Sequence, residues 1–168
     1  VQRVLVIGPC GSGKSTLAAQ IAHRLGLPLH HLDAVAWLPG WVEMERPEFY
    51  RRTEAIVAGE RWVIDGTHGS SLHLRAPRAD TIVYLDFPIR LCLWRLVKRT
   101  LRHYGTTRPD MGADCPERFD PAFFWYVARW NSGPRVRLHK RLEGHWDKVV
   151  RLRSPNEAQD FLDSLPAR

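Results

Sequence analysis

Residues 8–15 read Gly8-Pro9-Cys10-Gly11-Ser12-Gly13-Lys14-Ser15, a complete G-x-x-x-x-G-K-S loop. An apolar run, Val4-Leu5-Val6-Ile7, leads into it and suits a buried strand; a helical pattern follows. Glycines in such a loop let successive backbone N–H groups turn inward around a polyphosphate. The helix that follows adds its N-terminal partial positive charge. The lysine of the motif reaches β/γ-phosphates and its hydroxyl residue holds Mg²⁺. ATP and Mg²⁺ are therefore the expected ligands. Gly8, Gly11, Ser12, Gly13, Lys14, Ser15 and the following Thr16 are the candidate nucleotide contacts, and Ser15 is also a candidate metal ligand.

Outward from the loop, strands and helices alternate. The first strand spans 3–7 and the first helix about 13–25, with Leu17, Ile21 and Leu25 on one stripe and Gly26 as its stop. Residues 28–32 read as a second strand ending at Asp33, followed by a Trp/Pro/Gly loop over 37–41. Pro47 sits in the first turn expected of a helix over 46–58. Trp62-Val63-Ile64 is a third strand that ends at Asp65-Gly66, and 81–85 a fourth that ends at Asp86. A long helix is expected over 89–104, then a Gly/Pro/Asp-rich mobile loop over 105–121. Residues 122–143 suit a helix interrupted at Gly133-Pro134, and 148–152 a fifth strand. Ser154 and Glu157 form a capping box for a last helix over about 155–164. This order predicts an α/β three-layer sandwich, a five-stranded parallel sheet with helices on both faces, of the P-loop nucleoside triphosphate hydrolase/kinase type. One domain over 1–168 with a lid at about 105–121 is expected.

Composition narrows the class. The 168 residues are 44% hydrophobic and 26% charged, ordinary for a globular chain with a sizeable core. No apolar stretch approaches the roughly 20 residues of a membrane span, and the first strand starts too early to leave room for a signal peptide. Cys10, Cys92 and Cys115 are odd in number and widely spaced, which predicts a reducing, cytoplasmic setting and no structural zinc. The net charge of +7 resides in residues 87–141, which carry 12 Lys/Arg against 4 Asp/Glu. Such a segment suits polyphosphate, nucleic acid or a solvated face.

Phosphoryl transfer needs an acceptor site and cations over the transferring group. Asp33 and Asp65 stand near strand ends, where ligands bind in parallel sheets. Asp65 is the candidate Mg²⁺ carboxylate; Asp33 is the candidate to orient or deprotonate an acceptor hydroxyl. An aspartate in either place also serves as a cap or turn residue. Asp86, before Phe87-Pro88, reads as a helix-start residue. Arg95, Arg99 and Arg102 recur at helical spacing and form a guanidinium stripe that continues at Arg108 and Arg118. Lys14, Arg99 and Arg102 are the candidates to stabilise transition-state charge. His68, following Asp65-Gly66, is a candidate substrate contact or a loop histidine, and the His30-His31 pair has no third ligand at metal-site spacing.

These pieces together resemble the adenylate-kinase-like branch of P-loop kinases. Within that branch the chain is most similar to the bacterial DNA topology modulation (FlaR-like) proteins, through Gly8–Ser15, His31-Leu32-Asp33 with Trp37-x-Pro39-Gly40-Trp41, Trp62–Gly66, Leu91–Arg95, Arg108-Pro109-Asp110 and Arg151–Pro155. The resemblance implies that Arg95 lies against the ATP adenine and phosphates. It implies that Arg99 reaches the transferring group and that the adenine rests near Arg153-Ser154-Pro155. Two monophosphate grips of adenylate kinases are missing: Asp65-Gly66-Thr67-His68-Gly69 holds no arginine, nor does Asp33–Trp37. Arg51, Arg52 and Arg75 are the available substitutes. An aspartate after the second strand instead resembles shikimate and gluconate kinases, whose acceptor is a small-molecule hydroxyl. The chain thus reads as a phosphotransferase from ATP to a small-molecule or nucleotide acceptor. The alternative is a nucleotide-binding regulatory protein acting on DNA.

Overall fold

The computed structural model describes residues 1–166. In chain order, β1 (Arg3–Ile7) leads through the loop to α1 (Lys14–Leu25), and β2 (Leu29–His31) runs directly into a short α2 (Leu32–Ala36). A hairpin of β3 (Trp37–Leu38) and β4 (Val42–Glu43) precedes α3 (Arg46–Val57). Next come β5 (Trp62–Asp65), α4 (Leu72–Arg75), β6 (Thr81–Leu85) and α5 (Ile89–His103). The chain closes with α6 (Pro121–Ala128), α7 (Pro134–Arg141), β7 (Val149–Leu152) and α8 (Pro155–Ser164). Five strands form one parallel sheet in the order β2-β5-β1-β6-β7.

Alternation along β1 builds both halves of the core. Leu5 and Ile7 face one side with Trp62, Ile64, Ile82 and Tyr84, covered by Phe49, Leu72, Leu138 and Leu142. Val4 and Val6 face the other with Val63, Val83 and Leu85, covered by Leu17, Ile21, Cys92 and Leu162. Successive strand side chains point to opposite faces, so a fully apolar β1 must be covered twice. Each such buried aliphatic side chain contributes about 1.5–3 kcal/mol. The three-layer α/β sandwich inferred from element order is the observed architecture.

Three local expectations are corrected. The second strand stops at His31, so Asp33 lies in the first turn of α2 instead of at a strand end. Leu32 and Ala36 explain this: both are buried, and their i, i+4 spacing puts them on one helical face. The Trp/Pro/Gly stretch is a hairpin, with Trp37 opposite Glu43 and Leu38 opposite Val42. Asp86 does not cap α5, whose N-cap is Pro88. It accepts hydrogen bonds from Tyr84 at 2.9 Å, Arg135 at 2.9 Å and Arg151, which together outweigh the burial that would raise it and hold it well below the usual carboxylate range.

The segment 105–121, expected to be a mobile loop, packs onto the body through long-range hydrogen bonds. Glu117 of this segment is buried and accepts from Arg99 at 3.3 Å, Thr100 at 3.3 Å and Arg108 at 3.0 Å. Its other side holds the hairpin: Trp41 Nε1 donates to the Pro116 carbonyl at 2.9 Å and the Gly40 amide to Asp114 O at 2.9 Å. These long-range contacts have no periodic signature in the sequence.

Arg75 is wholly buried and serves structure, not an acceptor. Its guanidinium donates to the carbonyls of Gly66 at 2.8 Å, Thr67 at 2.7 Å and His68 at 2.9 Å. Burial pulls its pKa down to about 9 against the charge of Asp65, so it stays protonated at neutral pH. Arg75→Ala should lower unfolding free energy by about 3 kcal/mol, because three carbonyls lose their donor together. Urea denaturation checks this; a loss below about 1 kcal/mol would mean that water replaces the guanidinium.

Candidate active site

The loop after β1 opens into a cavity of about 710 Å³ lined by Gly11–Thr16, His31, Asp33, Arg95, Arg99 and Arg108 among others. The loop backs tightly onto the start of α5. A Cβ on Gly11, whose φ is +81°, would run into the Cys92 carbonyl. Within it, Ser12 Oγ donates to Pro9 O at 2.7 Å and Lys14 Nζ to the same carbonyl at 2.9 Å. The loop therefore holds its own ammonium over the cavity floor. Thr67 fastens the next strand's end to the loop: the Gly8 amide donates to Thr67 Oγ1 at 3.1 Å, and that hydroxyl donates to Gly8 O at 2.5 Å.

Strand register explains where the carboxylates fall. Asp65 ends β5 between Val6 of β1 and His31 of β2. It is 4% exposed. One carboxylate oxygen accepts from Ser15 Oγ at 2.6 Å, and the other pairs with His31 Nδ1 at 2.5 Å. The hydrogen bond to Asp65 raises the His31 pKa above its ordinary value, despite the opposing effect of burial. A hydroxyl and a carboxylate at the loop's end form the oxygen donor set that suits Mg²⁺, so the residues fit that metal.

Asp33 stands across the cavity mouth and pairs with His68 Nε2 at 2.6 Å. Burial would raise its pKa; the His68 hydrogen bond and the charges of His68, Lys14 and Arg108 outweigh it and hold the carboxyl at about 2. His68 adopts φ +25° and ψ 64°, a left-handed conformation unusual for a residue with a side chain. Gly66 just before it, at φ +125°, lies so close that a Cβ would meet the Leu32 Cβ at 2.9 Å. Arg75 clamps the carbonyls on either side of this turn. The strained turn is thus over-determined, and it aims the imidazole at Asp33.

A folded-state pKa below the ordinary 3.8 means that ionised Asp33 stabilises the fold above that value and loses this effect as pH falls toward about 2. The stability gap between the natural chain and Asp33→Asn should therefore shrink as pH drops through that window. Urea unfolding at stepped pH values measures it; a gap independent of pH would show the Asp33–His68 pair to be unformed in solution.

The arginine stripe is divided. Arg95 Nη1 donates to Ser12 O at 3.3 Å, and its guanidinium lies 5.8 Å from the Phe87 ring centre. Arg99 and Arg108 line the cavity and share Glu117. Arg102 is exposed and outside the cavity, because the helix turns it away; His103 takes the lining position instead. Arg153 is also exposed and does not line the cavity, where Pro155, Ala158 and Gln159 do. Arg118 is directed to Trp41, with 5.2 Å between guanidinium carbon and ring centre. Arg51 and Arg52 both pair with Glu48, at 2.8 and 2.7 Å, and do not line the cavity. Sequence reasoning missed the partners His31 and Glu117, and it offered His68 without Asp33. No spacing rule links such pairs; the His-Leu-Asp run was the sole hint.

No family model matches the chain. A shikimate kinase from Halorhodospira halophila is 31% identical over 130 residues, which are 68% of this chain and 70% of that protein. Among solved structures, an Acinetobacter baumannii shikimate kinase in complex with shikimate superposes with a TM-score of 0.62 at 16% identity, covering 97% of this chain and 89% of that one. A gluconokinase from Sinorhizobium meliloti gives 0.57 at 18% identity, covering 96% and 91%. At these identities the two structures speak for the fold. Nothing in the comparisons supports the DNA-acting alternative, and among the described residues no helix is long and apolar enough to cross a membrane.

Proposed function

This chain belongs to the family of P-loop kinases that includes the shikimate kinases and is an ATP-dependent small-molecule kinase, and we propose that it phosphorylates a hydroxyl group of its acceptor with Asp33 as the orienting carboxylate. The single observation that carries this reading is the placement of Asp33 and Lys14 on one cavity, with the Asp33 carboxyl held ionised. In this reading the backbone amides of Gly11–Ser15 and the Lys14 ammonium bind the β- and γ-phosphates. Ser15 and Asp65 would hold Mg²⁺, which when bound neutralises charge on those phosphates. Arg95 steadies the nucleotide, while Arg99 and Arg108 supply donors over the transferring group. Asp33 accepts a hydrogen bond from the acceptor hydroxyl, aligns its oxygen with the γ-phosphorus and takes its proton as the new O–P bond forms and the bond from the γ-phosphorus to the bridging oxygen breaks, releasing ADP. A carboxyl at about 2 is a weak base, so alignment is its larger contribution.

The finer resemblance to the DNA topology modulation proteins rests on the motifs quoted above. The segment 105–121, carrying Arg108 and Glu117, is the proposed lid of a single kinase domain. A cytoplasmic location is consistent with three free cysteines. Phosphorus NMR of ATP, Mg²⁺ and a mixture of small hydroxyl compounds tests the reading. A new phosphomonoester signal is expected; release of inorganic phosphate alone would make the protein an ATPase.

A further inference from the structure

Beside the ATP cavity lies a second one of about 350 Å³, lined by Ala36, Glu43, Met44, Glu45, Arg46, Phe49, His68 and Ser70. His68 joins the two, since its imidazole lines this cavity and pairs with Asp33, which lines the other. An acceptor seated here would lie against His68, one hydrogen bond away from Asp33. The size suits a molecule of monosaccharide scale. Ala36, Met44 and Phe49 supply an apolar floor, with Met44 and Phe49 themselves buried.

The charge of the lining decides the class. Glu43 and Glu45 line this cavity with a single arginine, Arg46, and the ionised Asp33 lies beyond His68 on the other cavity. Arg51 and Arg52 pair with Glu48 and Arg75 with three carbonyls, and none of the three lines the cavity. Arg141 lies against Gly69 without lining the cavity. A carboxylate or phosphate on the acceptor would meet a surplus of negative charge, which discriminates by repulsion as effectively as attraction does. We propose that the acceptor is a polyhydroxyl compound that is uncharged or carries an amine, and not an anion. This departs from shikimate, the carboxylate bound to one of the structural neighbours. It rests on the phosphotransfer reading above.

The test is ATP- and Mg²⁺-dependent ADP release with four panels: amino sugars and aminocyclitols, uncharged polyols and sugars, sugar acids with shikimate, and nucleoside monophosphates. The expected result is a kcat/KM at least about tenfold higher in the first two panels than in the anionic two, the scale on which an unpaired charge in a binding site discriminates. The double variant Glu43→Gln with Glu45→Gln should narrow that ratio. A response confined to sugar acids or monophosphates overturns the inference and leaves phosphotransfer standing. A ratio unchanged in the double variant also overturns it. Silence in all four panels overturns the phosphotransfer reading and the inference with it.

Discussion

Lys14→Ala lowers kcat by about 10²–10³-fold, the loss expected when one preorganised electrostatic donor is removed from a phosphoryl-transfer site. The ammonium stands on the loop's own Pro9 carbonyl at 2.9 Å, so it is in place before a triphosphate arrives. Alanine is a good helix former at this first residue of α1, and among the described residues the lysine pairs with no carboxylate, only with the Pro9 carbonyl. The fold should therefore survive, with circular dichroism and melting temperature close to those of the natural chain. Steady-state turnover with ATP and any responsive acceptor measures the effect. Unchanged turnover would remove this loop from the chemistry.

Asp33→Asn should lower kcat by about 10²–10³-fold, within the range for a positioned proton acceptor, with nucleotide affinity little changed. Asparagine keeps the volume and can still accept from His68, but it cannot accept the acceptor's proton or offer a charge. The separation between the two variants is diagnostic. Lys14→Ala weakens ATP binding as well as turnover, while Asp33→Asn acts after ATP has bound. Equal losses of ATP affinity would show that Asp33 serves the nucleotide and not the acceptor.

Much of this site was legible before any coordinates. The strand-loop-helix order around Gly8–Ser15 depends on local chemistry alone, because glycine freedom and a neighbouring helix terminus act within a few residues. Asp65 was legible because a parallel sheet delivers strand ends to one edge. Less legible was Asp33, read as a strand end and found on α2. It lines the cavity from that helix and not from a strand end. The arginine stripe was legible as a stripe, but helical spacing alone does not say which member faces the cavity. Arg95 and Arg99 do, and Arg102 does not.

What the amino-acid sequence determined by itself is the parallel sandwich and the donor half of the site, since both follow from periodicity and from one contiguous motif. The tertiary structure alone decided the acceptor half. His31 meets Asp65 and His68 meets Asp33 across 34 and 35 residues of chain, and Glu117 reaches Arg99 across 18. Such pairs depend on strand register and on how far a helix or turn rotates a side chain. Those are settled when Trp62, Leu32 and their neighbours bury themselves, and no local spacing records the outcome.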